Sequence, residues 1–393
     1  MKIPQGYKQT EVGIIPQDWE VNSIGYVFST YPTASYTRDQ LGDNGDVKYI
    51  HYGDLHTKYH THLNLSWASI PTITYKQALR YMHLRNGDLI LADASEDYAG
   101  VGNCVEIIGQ NNINAISGLH TVLLRDTKSV FADGFRGYIT QMAAVKSQLE
   151  KQAVGTKVYA ISYSTIKDCL LPIPPIEEQR RIAEVLSDVD GLITALDKKI
   201  AKKKLIKQAA MQRLFAHKPG NKQSIGEIVS VKKGEMLTSD EFIYGPVPVI
   251  AGGRTLAGYH NVANRPARTI TISASGASAG FVAFHEYPIF ATDCSTISPN
   301  SNFNIKYIYY LLQYHQADLY ATQTGGAQPH VHPKDIEEIK VSYIDNIEEQ
   351  QAIVTILSDM DKEISDLERK HDKYKLLKNG IMQKLLTGQI RIK

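Results

Sequence analysis

Apolar residues recur at alternating steps of about three and four along two stretches of the chain. The first stretch carries Ile182, Val185, Val189, Leu192, Leu196, Ile200 and Leu205. The second carries Ile353, Ile356, Met360, Ile364, Leu367, Tyr374, Leu377 and Ile381. This spacing predicts two long helices with a coiled-coil seam. Some 40 residues at ~1.5 Å each would span about 60 Å. Acids open each stretch (Glu177, Glu178; Glu348, Glu349) and Lys or Arg follow, as the helix dipole favours. Asn346 with Glu349 predicts a capping box. Pro219-Gly220 predicts the end of the first helix, and Gly388 the end of the second.

The two stretches are copies. Ile176-Glu177-Glu178-Gln179 returns as Ile347-Glu348-Glu349-Gln350, an offset of 171 residues. The match runs without a gap to Met211-Gln212-Arg213-Leu214 against Met382-Gln383-Lys384-Leu385. Over roughly 40 aligned positions nearly half are identical, too many for chance. A period this long is one duplicated unit, a globular part followed by a long helix, not a solenoid.

Between the helices the pattern changes. Strand-like runs occur at Val47–Ile50, Asp88–Leu91, Cys104–Ile108 and Thr121–Leu124, separated by Gly-, Asn- and Asp-rich turns. A helix is expected from Phe135 to Gln152, then a loop at Gly155–Tyr159. Pro172-Ile173-Pro174-Pro175 is an extended entry into the first long helix. The second copy is more compact. Ser224-Ile225-Gly226 answers Ser23-Ile24-Gly25, Thr269–Ile272 answers the Asp88–Leu91 strand, and a helix from Ile305 to Tyr320 answers Phe135–Gln152. The loop Gly325–His330 answers the Gly155 loop. Elsewhere the copies differ. The resulting division is an arm over 1–22 with Trp19 docked, a globular unit over 23–170, a helix over 171–220, a second unit over 221–342 and a second helix over 343–393. The fold class is α+β.

Composition narrows the function. Hydrophobic content of 43% and charged content of 21% describe a soluble globular chain with room for two or three domains. No apolar run approaches a membrane span or a signal core, so a cytoplasmic protein is expected. The three cysteines, Cys104, Cys169 and Cys294, fit neither a disulfide framework nor a zinc spacing. Net charge is +2, so any nucleic-acid surface must be local. No metal is expected.

Two helices packed antiparallel would relate the two units by a pseudo-two-fold axis, as local two-folds relate half-sites on duplex DNA. Diverged loops predict different half-sites. Lys157 and Tyr159 in one loop, and Gln328, His330 and His332 in the other, are therefore candidate DNA contacts. Lys157 would bind phosphate and Gln328 an adenine edge; the alternative is an ordinary loop. His51, His56, His60 and His62 cluster with Lys58 and Tyr59, either as a DNA-facing loop or as plain surface. The matching set in the second unit is Lys232, Lys233, Arg254, Tyr259, His260 and Arg265. Ser273–Ser278, including Ser275, is small and flexible, suited to close approach to DNA or to a tight turn. The lysines at 198, 199, 202, 203, 204 and 207 read as a solvated helix face, with DNA backbone or an acidic partner as the alternative.

The chain resembles the specificity subunit of a Type I restriction–modification system. The carrying stretches are Thr10–Trp19, Pro172–Ala183 with its second copy, Val249–Gly253 to Gly258–Asn261, Ser273–Gly280 and Leu385–Arg391. The resemblance implies two target-recognition domains reading a bipartite asymmetric site, with the arm completing the second helical region. It also implies helices that set the spacer and dock two adenine-N6 methyltransferase subunits, and restriction subunits through them. Glu178, Gln179, Arg181, Glu349 and Gln350 are then the candidate partner contacts. S-adenosylmethionine would sit on the methyltransferase, ATP and Mg on the restriction partner, and none on this chain. The second helix departs from the family's proline-rich entry, having Ser342–Asn346. The alternatives are the specificity chain of a Type IIB-like enzyme, a structural adaptor, or a DNA-modifying enzyme. Against the last, the only Pro-Pro is Pro174-Pro175, followed by Ile176 rather than an aromatic residue, and no phosphate-loop motif occurs.

Overall fold

A computed structural model describes residues 3–59, 61–66, 69–109, 112–215 and 222–392. His60 and Pro219-Gly220 lie outside the described residues, as does the side chain of His56. The chain forms two compact units: Met1–Ala195 with His371–Lys393, and Leu196–Lys370. The long helices Ile176–Phe215 and Ile347–Leu386 each contribute to both.

Unit 1 is built on a five-stranded sheet. Its order is Phe28–Tyr31, Thr121–Asp126, Leu89–Ala92, Cys104–Ile108, His62–Asn64, antiparallel except for the last pair. Leu89, Leu91, Val122 and Leu124 face a core that includes Phe131, Phe135, Tyr138 and Leu171. Ile182 and Leu186 of the first long helix and Leu385 and Leu386 of the second complete it. The alternate residues Ile90, Ala92, Val105, Ile107 and Leu123 face another cluster with Ile50, Leu55, Tyr59, Leu63 and Leu84. The sheet is thus covered on both faces. A second sheet, Ala115–Ser117, Val47–Ile50, Thr72–Ile73, adjoins it.

Unit 2 has a four-stranded antiparallel sheet in the order Val229–Lys233, Cys294–Pro299, Thr269–Ser273, Val282–His285. Ile270, Ile272, Val282 and Ile297 face a core with Tyr307, Ile308, Leu311 and Val341. Met211 and Phe215 of the first long helix and Ile353, Val354 and Leu357 of the second close it. The smaller sheet Gly258–His260, Val247–Ile250, Phe290–Ala291 lies beyond.

The duplicated frame is held by duplicated contacts. Gln179 is 1% exposed; its amide oxygen accepts from Ala132 N–H at 2.9 Å and its nitrogen donates to Pro174 C=O at 2.8 Å. Gln350 is 0% exposed and does the same with Asn304 N–H and Ile344 C=O, both at 2.8 Å. In unit 1, Asp190 pairs with Lys378 at 2.6 Å and accepts from Tyr138 Oη at 3.2 Å. In unit 2, Asp361 pairs with Lys207 at 2.5 Å and accepts from Tyr310 Oη at 2.8 Å. Asp361 and Lys378 stand 171 residues after Asp190 and Lys207, so the two helices exchange roles between units.

The arm belongs to unit 1. Trp19 is fully buried and donates its indole N–H to Glu178 Oε2 at 3.0 Å. Arg391 donates to both oxygens of Glu178, at 2.6 and 2.7 Å, and to Asp18 at 2.7 Å. Tyr7 Oη donates to Gly388 C=O at 2.8 Å. Gly388 has φ +70°, and a Cβ there would stand 2.4 Å from Pro16, so the close approach and the helix stop both need glycine. Asn346 Oδ1 accepts from Glu349 N–H at 2.9 Å, which is the N-cap half of the capping box expected there.

Two expected helices are broken. The 135–152 stretch is a 3₁₀ turn Arg136–Gln141 followed by the α-helix Ala143–Gln152, with Met142 extended between them. The 3₁₀ turn lets Gly137 pass so close to Thr61 that a Cβ would stand 2.3 Å from its carbonyl. The 305–320 stretch breaks at His315 into Ile305–Tyr314 and Gln316–Ala321. Gln316 is drawn aside to cap the neighbouring strand, donating to Gly280 C=O and accepting from Val282 N–H.

Candidate nucleic-acid interface

The two loops expected to be equivalent are built alike. In unit 1, Val154 and Ala160 bridge across the Gly155 loop, and Tyr159–Ala160 pairs with Ala94–Ser95. Gly155 has φ +152°, and a Cβ there would meet Val158 C=O at 1.9 Å. In unit 2, Thr324 and His330 bridge across the Gly325 loop, and His330 also bridges Ser275. Gly325 has φ +89°. Each turn leaves one predicted contact at its exposed tip: Lys157 in one, Gln328 in the other.

The flanking residues are held. Tyr159 is half-buried with its ring edge-on to Tyr98, centroids 5.3 Å apart. His330 and His332 stack at 6.3 Å, and the His332 N–H is received by Asp335 Oδ2 at 3.0 Å at the start of the short helix Pro333–Glu337. Ser275 Oγ donates to Asp293, and its segment is a tight turn in which Gly276 has φ +76°. Nearby in unit 1, burial pushes the Asp93 carboxyl up, and His120 at 3.4 Å partly offsets this.

Several predicted contacts are not on the surface. Tyr59 is 2% exposed in a core cluster, so it does not face DNA. His260 is 7% exposed and accepts from Ile243 N–H through Nδ1 at 3.1 Å. Arg265 donates to Thr296 Oγ1, Asn264 C=O, Lys233 C=O and Glu235, so its guanidinium ties the unit together internally. Gln179, Gln350 and Glu178 are buried and engaged as described, which removes them as partner-docking residues. Arg181 is exposed and Glu349 half-buried. Lys203, Lys204 and Lys207 of the lysine run pair with Glu363, Glu368 and Asp361, so that part of the run holds the second helix rather than an outside polyanion.

Other predicted residues remain exposed. Lys58 is exposed and paired with Asp54 at 3.0 Å. Lys232, Lys233 and Tyr259 are exposed on strands of unit 2. Arg254 is exposed with its guanidinium 4.9 Å from the Phe281 ring, and donates to Tyr320 Oη at 3.3 Å. It stands at a cleft of about 510 Å³ lined by Thr271, Ser273, Ala283, His285 and Tyr287 among others. The cleft was not among the expected sites; its signal in the sequence is the polar alternation Thr269-Ile270-Thr271-Ile272-Ser273. Burial pushes the His285 imidazole down to about 4, and its Nε2 meets Thr271 Oγ1 at 2.9 Å.

Cys104, Cys169 and Cys294 are buried, and burial pushes their thiols up to about 11, 12 and 12, so none is a ready nucleophile. Among the described residues no cluster of metal-ligating side chains occurs, and no helix is long and apolar enough to cross a membrane.

A family model for the Type I restriction modification DNA specificity domain matches residues 16–207 and again 219–377. A Methanocaldococcus jannaschii protein named a putative type I restriction enzyme MjaX specificity subunit is 26% identical over 99% of this chain and 97% of its own. A Mycoplasma pneumoniae putative type I specificity subunit is 27% identical over 62% of this chain and 70% of its own. Among solved structures, the S subunit of a Type I system from M. genitalium superposes with a TM-score of 0.63 at 18% identity, covering 98% of each chain. Likeness at that identity speaks for the fold.

Proposed function

This chain belongs to the Type I restriction modification DNA specificity family, and from that premise we propose that it is the non-catalytic subunit that reads a bipartite, asymmetric DNA site for its complex. Each unit reads one half-site. The long helices set the gap between half-sites, and their exposed faces dock two adenine-N6 methyltransferase subunits and, through them, restriction subunits. Arg181 is one residue on such a face. S-adenosylmethionine belongs to the methyltransferase, and ATP and Mg to the restriction partner; this chain supplies position and choice of sequence.

One observation carries the reading. The contacts that join each unit to the helices recur at matched positions, as at Gln179 and Gln350, while the exposed residues of the two units differ. A constant frame with variable tips is what two independent half-site readers require. The test is to replace 221–342 with the equivalent unit of a relative and sequence the methylome of cells carrying the methyltransferase partner. One half-site should change and the other stay. Change at both would show that the units do not read independently. A companion variant with one heptad inserted after Leu196 and one after Leu367 keeps the seam in register. It adds about 10 Å to each helix, or room for roughly three more base pairs at ~3.4 Å each. Methylation at the old spacing would remove the helices as the ruler.

A further inference from the structure

Unit 1 carries an exposed segment outside the loops described above. Residues 74–87 follow the strand Thr72–Ile73 and hold three cations, Lys76, Arg80 and Arg85, with no acid. The footing of the segment is fixed. Ala78 and Leu84 are buried, Leu84 N–H donates to Ala115 C=O at 2.9 Å, and Arg125 donates to His83 C=O at 2.9 Å. Its outward side is open. Tyr75 and Leu79 are 52% and 63% exposed, and residues 79–85 line a hollow of about 510 Å³.

The charges there are uncommitted. Arg38, Arg125, Arg136, Arg180 and Arg391 of unit 1 are each ion-paired. Among the described residues, Arg80 and Arg85 are not. Arg80 instead lies with its guanidinium 5.2 Å from the Tyr81 ring centroid. Stacking of that kind restrains a planar donor fork before it meets a ligand. In unit 2 the connection in the same place, 261–268 after Gly258–His260, is shorter, and its Arg265 is spent on internal bonds.

We propose that residues 75–85 are the DNA-reading ridge of unit 1, with Arg80 on a guanine edge, Leu79 against a neighbouring thymine methyl, and Lys76 and Arg85 on phosphates. The inference rests on the reading of this chain as a DNA-specificity subunit. Three cations without an acid favour a polyanion, and an unpaired arginine reaches a base edge without first breaking an ion pair. Apolar side chains exposed on a rigid base supply the groove contacts that phosphate binding lacks.

The test uses the full chain and a random-sequence duplex library, with bound duplexes sequenced. The wild type should select a two-part motif. Arg80→Ala should lose preference at a base pair of one half-site by roughly tenfold or more, leaving the other half-site intact. Lys76→Ala should weaken all duplexes alike and lower the salt slope by about one unit. Both side chains are exposed, and a thermal melt checks that folding is kept. Wild-type motif and affinity in both Arg80→Ala and Leu79→Ala would overturn the inference. So would equal loss at both half-sites, or unchanged selection with lost methyltransferase-subunit binding, which would make the ridge a protein dock. If the wild type itself selects no motif, the specificity reading fails and takes this inference with it.

Discussion

The strands Leu89–Ala92 and Thr269–Ser273 occupy the same place in their two sheets but solve opposite problems. In unit 1 the run Leu-Ile-Leu-Ala sends alternate side chains into two apolar clusters, because extra chain between Val47–Ile50 and Leu89–Ala92 covers the second face. In unit 2 that connection is shorter, and the run Thr-Ile-Thr-Ile-Ser sends isoleucines to one core and hydroxyls to a cleft. The polar groups follow suit. Unit 1 buries charges as pairs: Asp88 with Arg125 at 2.6 Å and Glu106 with Arg136 at 3.1 Å. Unit 2 buries hydroxyls, with Thr271 on His285 and Thr296 on Arg265. One frame thus tolerates two different outer layers, provided each satisfies what it covers.

Arg125→Ala should cost unit 1 the most. It leaves the Asp88 carboxylate 2% exposed with the Arg85 N–H as its remaining donor. Removing one member of a buried pair costs about 3–5 kcal/mol. Thr271→Val in unit 2 should cost only about 1 kcal/mol, since it loses one neutral hydrogen bond. Hydrogen exchange of the two central strands measures both, each reporting its own unit. Equal losses would mean that the two outer layers are energetically alike.

Next in size is a pH effect. His285 folds with its imidazole pushed down to about 4, against about 6.5 unfolded, so folding favours the neutral ring. Its contribution is complete above pH ~6.5 and is lost as pH falls from there towards 4, up to about 3 kcal/mol. Proteolysis of unit 2 across that range should show the loss, and His285→Gln should flatten it. His51 in unit 1 is pushed down as well, first by burial and then by Arg38. An unchanged slope in His285→Gln would assign the pH response of unit 2 to a group other than His285.

Much of this contrast was legible in the residues. Leu-Ile-Leu-Ala against Thr-Ile-Thr-Ile-Ser states which sheet has one covered face, and the 171-residue offset states which helix residues share a role. Loop tips were legible too, because Gly155 and Gly325 mark turns that need left-handed backbone. Direction was not. Tyr59, His260 and Arg265 look like surface chemistry in one dimension, but their exposure depends on strands and loops distant in sequence. Gln179 and Gln350 stand out as repeated polar residues, and repetition marks either a docking face or an internal clamp. Only the carbonyls at 174 and 344 decide for the clamp.

The glutamine clamps should respond less, and alike in both units. Gln179→Ala and Gln350→Ala each strand a buried backbone C=O, together with the Ala132 N–H in unit 1 and the half-buried Asn304 N–H in unit 2, at a cost of about 1–3 kcal/mol. Because both amides make the same contacts, the two losses should agree within about 0.5 kcal/mol when read as hydrogen exchange in the affected unit. A large disparity would show that the frame, and not only the outer layer, has diverged.

The two loop tips differ by less again. Lys157 and Gln328 sit on turns of the same construction, but one carries a charge and the other an amide. A lysine on phosphate contributes counterion release, which is blind to sequence and fades as salt rises. An amide on an adenine edge contributes discrimination, about 1–3 kcal/mol against the wrong base, with little salt dependence. Lys157→Ala should therefore lower the slope of log affinity against log salt by about one unit and leave the selected sequence unchanged. Gln328→Ala should leave that slope alone and relax one position of one half-site. Titrating each variant of the full chain with the wild type's selected duplex, and with a single-base mismatch in each half-site, at several salt concentrations reads both quantities together. If the slope drops for Gln328→Ala, or the mismatch penalty vanishes for Lys157→Ala, the roles are exchanged. If neither moves, the two turns are connections of the frame, and recognition lies in the outer layers where the units differ.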